Sequence, residues 1–301
     1  MSFCIEVVPK ERVDERPEDY NTAAHRISEH PAHVEEADIE FDINATTFDK
    51  WLPLILESRG METQYQSILL PNTIIPDLMD AVRIYKTTGS VPSRSIMSLK
   101  GEVCFSTLTC FDANKRWFVR SDDVSGKDGE GADKPITTID QLLILLTTSW
   151  RLYGSYARHK RGSFRLHLLP WDDDTDAMNE FRVFVPPSTD ISKSRISAIS
   201  QYRWWSTIPE AMKGRLPEIV DAACTIFASI QRQGAMSKAL AQGFSFDIQW
   251  RSSGTQLVEL NGFGALQYTG ACLFNWVADR HILYDEMEAD LDHQIIVRIC
   301  A

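Results

Sequence analysis

The chain has 301 residues, 44% of them hydrophobic and 24% charged, with 42 acidic against 31 basic side chains and a formal net charge of −11. That length can bury a large core and suits two lobes better than one. The negative balance argues against a nucleic-acid binder, whose affinity needs clustered Lys and Arg against phosphates, and it disfavours anionic membrane surfaces. Six cysteines, Cys4, Cys104, Cys110, Cys224, Cys272 and Cys300, lack C-x-x-C spacing, so neither a zinc site nor a disulfide framework is expected. Met1 to Glu6 runs straight into Lys10-Glu11-Arg12 with no apolar signal region, and the apolar run Leu142 to Leu146 is too short to cross a bilayer. The expectation is a cytoplasmic protein without membrane or nucleic-acid partners.

Residues 1–40 read as an acidic, partly mobile leader, dense in charge from Glu11 to Asp19 and again from Glu35 to Glu40. Its histidines, His25, His30 and His33, have no cysteine or regular ligand spacing beside them and read as solvated. Residues 41–170 are expected to form a first lobe. Phe48, Trp51, Leu52, Leu54 and Ile55 suit a helix ended by Gly60, and Ile74 to Tyr85 suits another. Trp117 to Arg120 reads as a strand that delivers a cation into a loop of small, polar and charged residues, which makes Arg120, Ser125 and Lys127 candidate phosphate contacts. Gly126 to Gly131 lacks the order of a P-loop. Its composition fits a flap over phosphates or a disordered connector, and nucleotide binding is expected to order Asp123 to Lys134. Thr138-Ile139-Asp140-Gln141 has the form of a capping box in front of the buried run Leu142 to Leu146. Tyr153 to Arg161 carries a basic cluster, Arg158, His159, Lys160 and Arg161, which is either an anion-attracting patch or a solvated loop. Phe164 to Trp171 reads as a strand entering a Pro-Trp bend, with Arg165 a further candidate cation, and Asp172 to Asp174 as a solvated turn.

Residues 171–301 are expected to form the second lobe. Asn179 to Val185 is a strand with Glu180 and Arg182 on one face, Ile196 to Tyr202 is strand-like, and Pro217 to Gln231 carries the stripe of a core helix. Asp285 to Ile299 reads as a further helix. Phe244 to Trp250 alternates apolar and polar residues, so Asp247 shares a face with Ser245 and Gln249. After the turn residues Arg251 to Gly254, Gln256 to Asn261 returns with Glu259 and Asn261 on one face. Asp247, Glu259 and Asn261 then supply two carboxylates and an amide oxygen, a donor set suited to magnesium beside phosphate. An amphipathic hairpin with solvated acids would show the same spacing. The acids oppose each other only if the connection spans Arg251 to Thr255 or a bulge makes the same shift.

The cation-bearing strand and its loop, then E-F-R-x-F-V, then I-S-Q, then D-I with E-x-N, and finally Leu273-Phe274-Asn275-Trp276, occur in an order that resembles the cell division cycle protein 123 family, from about Phe48 to Trp276. The resemblance implies an α+β ATP-grasp-like fold, two lobes with antiparallel sheets clasping ATP and Mg2+. It places the adenine against the backbone of Leu168 and Leu169. It makes Arg182 a ligand of the γ-phosphate or of an acceptor carboxylate, with an ion pair to Glu180 as the other reading. Two functions are compatible. One is an ATP-dependent carboxylate ligase that activates a small carboxylate as an acyl-phosphate; the other, implied by the family, is an ATP-binding assembly chaperone for subunits of translation initiation factor 2. The general E-x-N metal motif and the departure of the loop after Arg120 from the family's L-N-W-S form point toward the ligase.

Overall fold

The computed structural model describes residues 2–22, 43–60, 64–111, 114–159, 164–267, 269–286 and 294–301. The histidines His25, His30 and His33, and Lys160 and Arg161 of the basic cluster, lie outside them. The chain divides into two compact units, one built from Met1–Gly60 and Thr175–Ala301, the other from Met61–Asp174. The expected boundary at 170/171 therefore falls close to the second junction. Residues 43–60, however, join the C-terminal unit rather than the first lobe.

Nine strands were found among the described residues: β1 Ser2–Val8, β2 Gln66–Leu70, β3 Trp117–Ser121, β4 Phe164–Pro170, β5 Glu180–Val185, β6 Ala198–Gln201, β7 Phe244–Gln249, β8 Gln256–Gly262 and β9 Gln294–Cys300. The larger unit holds a six-stranded sheet in the order β1-β9-β6-β5-β7-β8. Both β1 and β6 pair with β9 in parallel, whereas β5, β6, β7 and β8 pair antiparallel. Two expectations are corrected here. The start of the presumed leader is a sheet strand, because the β-branched and apolar residues of Ser2–Val8 find a partner only at the far end of the chain. The C-terminal segment is a strand and not a helix: Ile295, Val297 and Ile299 are buried and alternate with Ile296 and Arg298, a two-residue period.

One face of this sheet carries Phe244 and Phe246, and the helix Leu216–Arg232 lies against it through Phe227. The helix Phe48–Arg59 joins β8 through Leu257, whose N–H donates to Ser58 Oγ and whose carbonyl accepts from Arg59 Nη2. It ends as expected at Gly60, which adopts a left-handed conformation (φ 60°) that favours glycine. The opposite sheet face is covered by residues 263–267 and 269–284, with Phe274 and Trp276 edge-on to Phe184 of β5.

The smaller unit has a three-stranded antiparallel sheet in the order β2-β4-β3. Ile68, Leu70, Val119, Leu166 and Leu168 form its core with the helices Ile75–Thr88 and Ile139–Thr148. The capping box is present, since Thr138 Oγ1 accepts from Gln141 N while Gln141 Oε1 accepts from Thr138 N. The basic cluster begins on a helix, Trp150–Arg158, rather than in a loop.

The expected flap is tied down by its own contacts. Asp128 accepts from Ser149 Oγ (2.6 Å) and from the N–H groups of Trp150 and Arg151 at the start of that helix. Arg151 Nε donates to Ser125 O, and Glu130 N donates to Thr148 Oγ1. A side chain at Gly129 would stand 2.9 Å from Leu145 Cδ1 and 3.1 Å from its carbonyl, so the glycines serve close packing as well as turning. The charges of this loop include an acid, Asp128, at a helix N-terminus. Asp128→Ala should lower stability by about 1–2 kcal/mol in urea unfolding. It should also speed hydrogen exchange at Trp150 and Arg151.

Candidate functional site

The register of the six-stranded sheet aligns one residue from every strand in a single transverse row: Glu6, Arg298, Ser200, Arg182, Asp247 and Glu259. All six share the face opposite Phe244 and Phe246, because partners across a ladder point the same way and the period along each strand is two. The last pair depends on an irregularity. Gln249 faces Gln256 and Ile248 faces Leu257, but Asp247 faces Glu259, so Val258 is bulged out. Of the two ways to oppose the acids, the chain uses the bulge.

Arg182 and Asp247 form a buried bidentate pair, with Nε to Oδ1 and Nη2 to Oδ2 both at 2.7 Å. The remaining guanidinium nitrogen, Nη1, donates to Gly270 O (2.8 Å), and the Tyr202 ring lies 5.1 Å away. Burial by itself would lower the arginine's pKa; the Asp247 carboxylate more than reverses this and holds it well above the ordinary value. Arg182 thus pairs with Asp247 across the strands rather than with Glu180 along its own. Asn261 Nδ2 reaches Asp247 Oδ2 at 3.4 Å, and Asn261 faces Ser245 on β7. The Ser245 hydroxyl is fully buried and has no hydrogen-bond partner among the described residues. Such a hydroxyl costs roughly 1–3 kcal/mol if nothing satisfies it.

The expected donor set is therefore assembled: Asp247, Glu259 and Asn261 stand together with Arg182. Two carboxylates directly opposite on an antiparallel pair repel each other. Arg182 offsets the charge of Asp247.

A loop holds the other side of this cluster. Gly270 O, Cys272 and Leu273 approach the row, Leu273 N donating to Ser200 Oγ and Leu273 O accepting from Arg298 Nη1. The N-terminal segment clamps the loop. Asn21 N donates to Cys272 O and Asn21 Oδ1 accepts from Cys272 N, while Thr22 Oγ1 accepts from Trp276 N. Both Asn21 (φ 46°) and Cys272 (φ 54°) are left-handed, and a side chain at Gly270 would meet Asn21 Oδ1 at 2.1 Å. None of these contacts is readable from spacing, since Asn21 and Cys272 are 251 residues apart.

The smaller unit brings other expected residues together. Arg120, on β3, is buried and forms an isolated backbone β-bridge with Ser125, whose own hydroxyl is buried without a hydrogen-bond partner among the described residues. Lys127 lines a cavity of about 170 Å³ with Trp117, Phe118, Lys134, Ile136 and Trp171. Arg165 is exposed on β4 opposite Leu69. Leu168 lies in the middle strand between Gln66 and Val119, and Leu169 faces Phe118. The ladder thus engages the Leu168 backbone that was expected to read adenine. Sequence reasoning missed a chain of side chains here: Asp122 Oδ1 to His167 Nε2 (2.6 Å) and His167 Nδ1 to Tyr65 OH (2.8 Å).

Two outcomes are expected. Replacing Asp247 by Ala does not leave the fold unperturbed, because it strands the buried Arg182 charge; either Asp247→Ala or Arg182→Ala should cost about 3–5 kcal/mol in denaturant unfolding. The double variant Arg182→Met/Asp247→Leu should recover most of that loss. The Cys272 thiol is pushed up to about 12 by burial, opposed by Arg182 and aided by Asp247 and Glu180. Raised in the folded state, its contribution to stability is full below the ordinary thiol value and is lost as pH rises toward the folded one. An aromatic disulfide reagent at pH 8 should leave Cys272 unlabelled until the protein is unfolded in urea.

No protein-family model and no curated protein matches the sequence. Solved structures do. Cdc123 from Schizosaccharomyces pombe and its C-terminally truncated form each superpose with a TM-score of 0.58 at 17% identity, covering 85% of this chain and 96% of theirs. D-Alanine-D-alanine ligase from Helicobacter pylori gives a TM-score of 0.38 at 11% identity, covering 83% of this chain and 60% of that one. Among the described residues no helix is long and apolar enough to cross a membrane. The chain has the α+β, ATP-grasp-like fold of Cdc123.

Proposed function

We propose that the protein binds a magnesium nucleotide, with the carboxylates of Asp247 and Glu259 and the amide oxygen of Asn261 holding the cation. The observation that carries this reading is the direct opposition of the two acids through the β8 bulge, beside Arg182. The fold shared with Cdc123 supports it. Bound there, the cation would offset phosphate charge while Arg182 keeps Asp247 ionised and in place. In the unit 61–174 the proposed nucleotide contacts are Arg120, the buried Ser125 hydroxyl, Lys127 and the exposed Arg165. Trp117 and Trp171 in the Lys127 cavity offer apolar surface to a base.

The bidentate pair favours a structural use of Arg182. Its three nitrogen groups donate to Asp247 and to Gly270 O, so it holds the site together instead of reaching for a γ-phosphate. The ATP-dependent carboxylate ligase expected from the E-x-N motif loses its best catalytic cation on this geometry. The alternative, nucleotide binding in an assembly chaperone acting on translation initiation factor 2, needs no such group. We favour the second use.

Calorimetry with Mg-ATP tests the binding. Glu259→Gln should weaken it at least tenfold with an unchanged urea midpoint, and equal affinity in the two proteins would sink the cation assignment. Lys127→Ala should also weaken ATP binding. ADP formation with pooled amino acids and small carboxylates, compared with pull-down of initiation-factor 2 subunits, separates the two uses.

A further inference from the structure

The strand that carries Asp247 has a second polar residue on the same face whose presence packing alone does not explain. Ser245 is fully buried, its neighbours Phe244 and Phe246 are buried aromatics, and across the ladders it faces Phe184 on one side and Asn261 on the other. Its hydroxyl has no hydrogen-bond partner among the described residues. Alanine would fill nearly the same volume without leaving a polar atom unsatisfied, so the hydroxyl is a standing cost unless something else engages it. A water could do so only if the spot offered two or more polar partners. The nearest ones in register are Asn261 directly opposite and Asp247 two residues along, both members of the proposed cation set.

We propose that Ser245 Oγ is a fourth oxygen of that cation site, so that the hydroxyl is satisfied when the ion is bound. The inference rests on the magnesium reading of Asp247, Glu259 and Asn261 and extends it to a residue without charge. A neutral hydroxyl beside two carboxylates and an amide gives an all-oxygen shell, the hard donor chemistry that suits Mg2+ or Mn2+. It also explains why this row keeps a buried serine between Phe184 and Asn261: removing the oxygen favours the metal-free protein and weakens the metal-bound one.

The test uses the full chain and three proteins, wild type, Ser245→Ala and Ser245→Cys. Mn2+ binding in the presence of ATP is followed by electron paramagnetic resonance, and thermal melting is recorded without metal. Ser245→Ala should melt no lower than wild type without metal, yet bind Mn2+ about tenfold more weakly. Ser245→Cys replaces a hard oxygen with a soft sulfur, so it should lose Mn2+ affinity and regain binding with Cd2+. Equal Mn2+ affinity in wild type and Ser245→Ala overturns the inference while leaving the three-residue site standing. A weaker Ser245→Ala together with a Ser245→Cys protein that Cd2+ does not rescue overturns direct ligation. A wild type that binds no Mn2+ overturns the magnesium reading, and this extension falls with it.

Discussion

The buried pair of Arg182 with Asp247 is the constraint on which the larger unit depends. Two charges removed from water are tolerable only when they are paired and hydrogen-bonded, and here all three guanidinium nitrogens donate, two to Asp247 and one to Gly270 O. That demand fixes the register of β5 against β7, because a slip by one residue would turn the arginine to the face occupied by Phe244 and Phe246. It also dictates that Gly270 O be delivered to Nη1. The sheet is thereby tied to the loop above it.

The loop in turn explains the N-terminal segment. Gly270, whose carbonyl accepts from Arg182, has no side chain, and Asn21 takes up that space while it exchanges hydrogen bonds with Cys272. Both residues hold left-handed backbone, a strained state that persists where surrounding contacts over-determine it. Farther along the row, Arg298 repeats the arrangement at smaller scale, pairing with Glu6 and Asp279 while it lies over Phe274. Burial would lower its pKa, and the two acids raise it instead. The first and last strands are therefore joined by charge as well as by the parallel ladder.

The polar row has a cost that hydrophobic residues at the same places would not incur. A sheet built only for stability would bury leucines there. Instead, the half-buried Glu259 stands opposite the buried Asp247, and the buried Ser245 hydroxyl has no hydrogen-bond partner among the described residues, an arrangement that packing alone does not favour. The smaller unit shows the same tension more mildly. Ser125 keeps an orphan hydroxyl beside Arg120, while the adjoining loop is held by Asp128 at a helix N-terminus.

Local periodicity was enough to recover most elements. The capping box at Thr138, the glycine stop at Gly60 and the alternation in Phe244–Gln249 are each written within a few residues, where side chains act on their own backbone. The convergence of Asp247, Glu259 and Asn261 was legible for the same reason, being a two-residue period on adjacent strands. The sequence even limited the ways in which the acids could oppose each other, and a bulge was one of them. Pairing across long separations was not legible. Ser2–Val8 is a short charged-flanked segment until β9 supplies its partner, and Asp285 to Ile299 looked helical because the ladder that rewards its alternation is formed by the two ends of the chain. Tertiary structure alone decided that Arg182 pairs with Asp247 rather than Glu180, since neighbours across a ladder lie closer than residues two apart along a strand and desolvation makes only the closest opposite charge count.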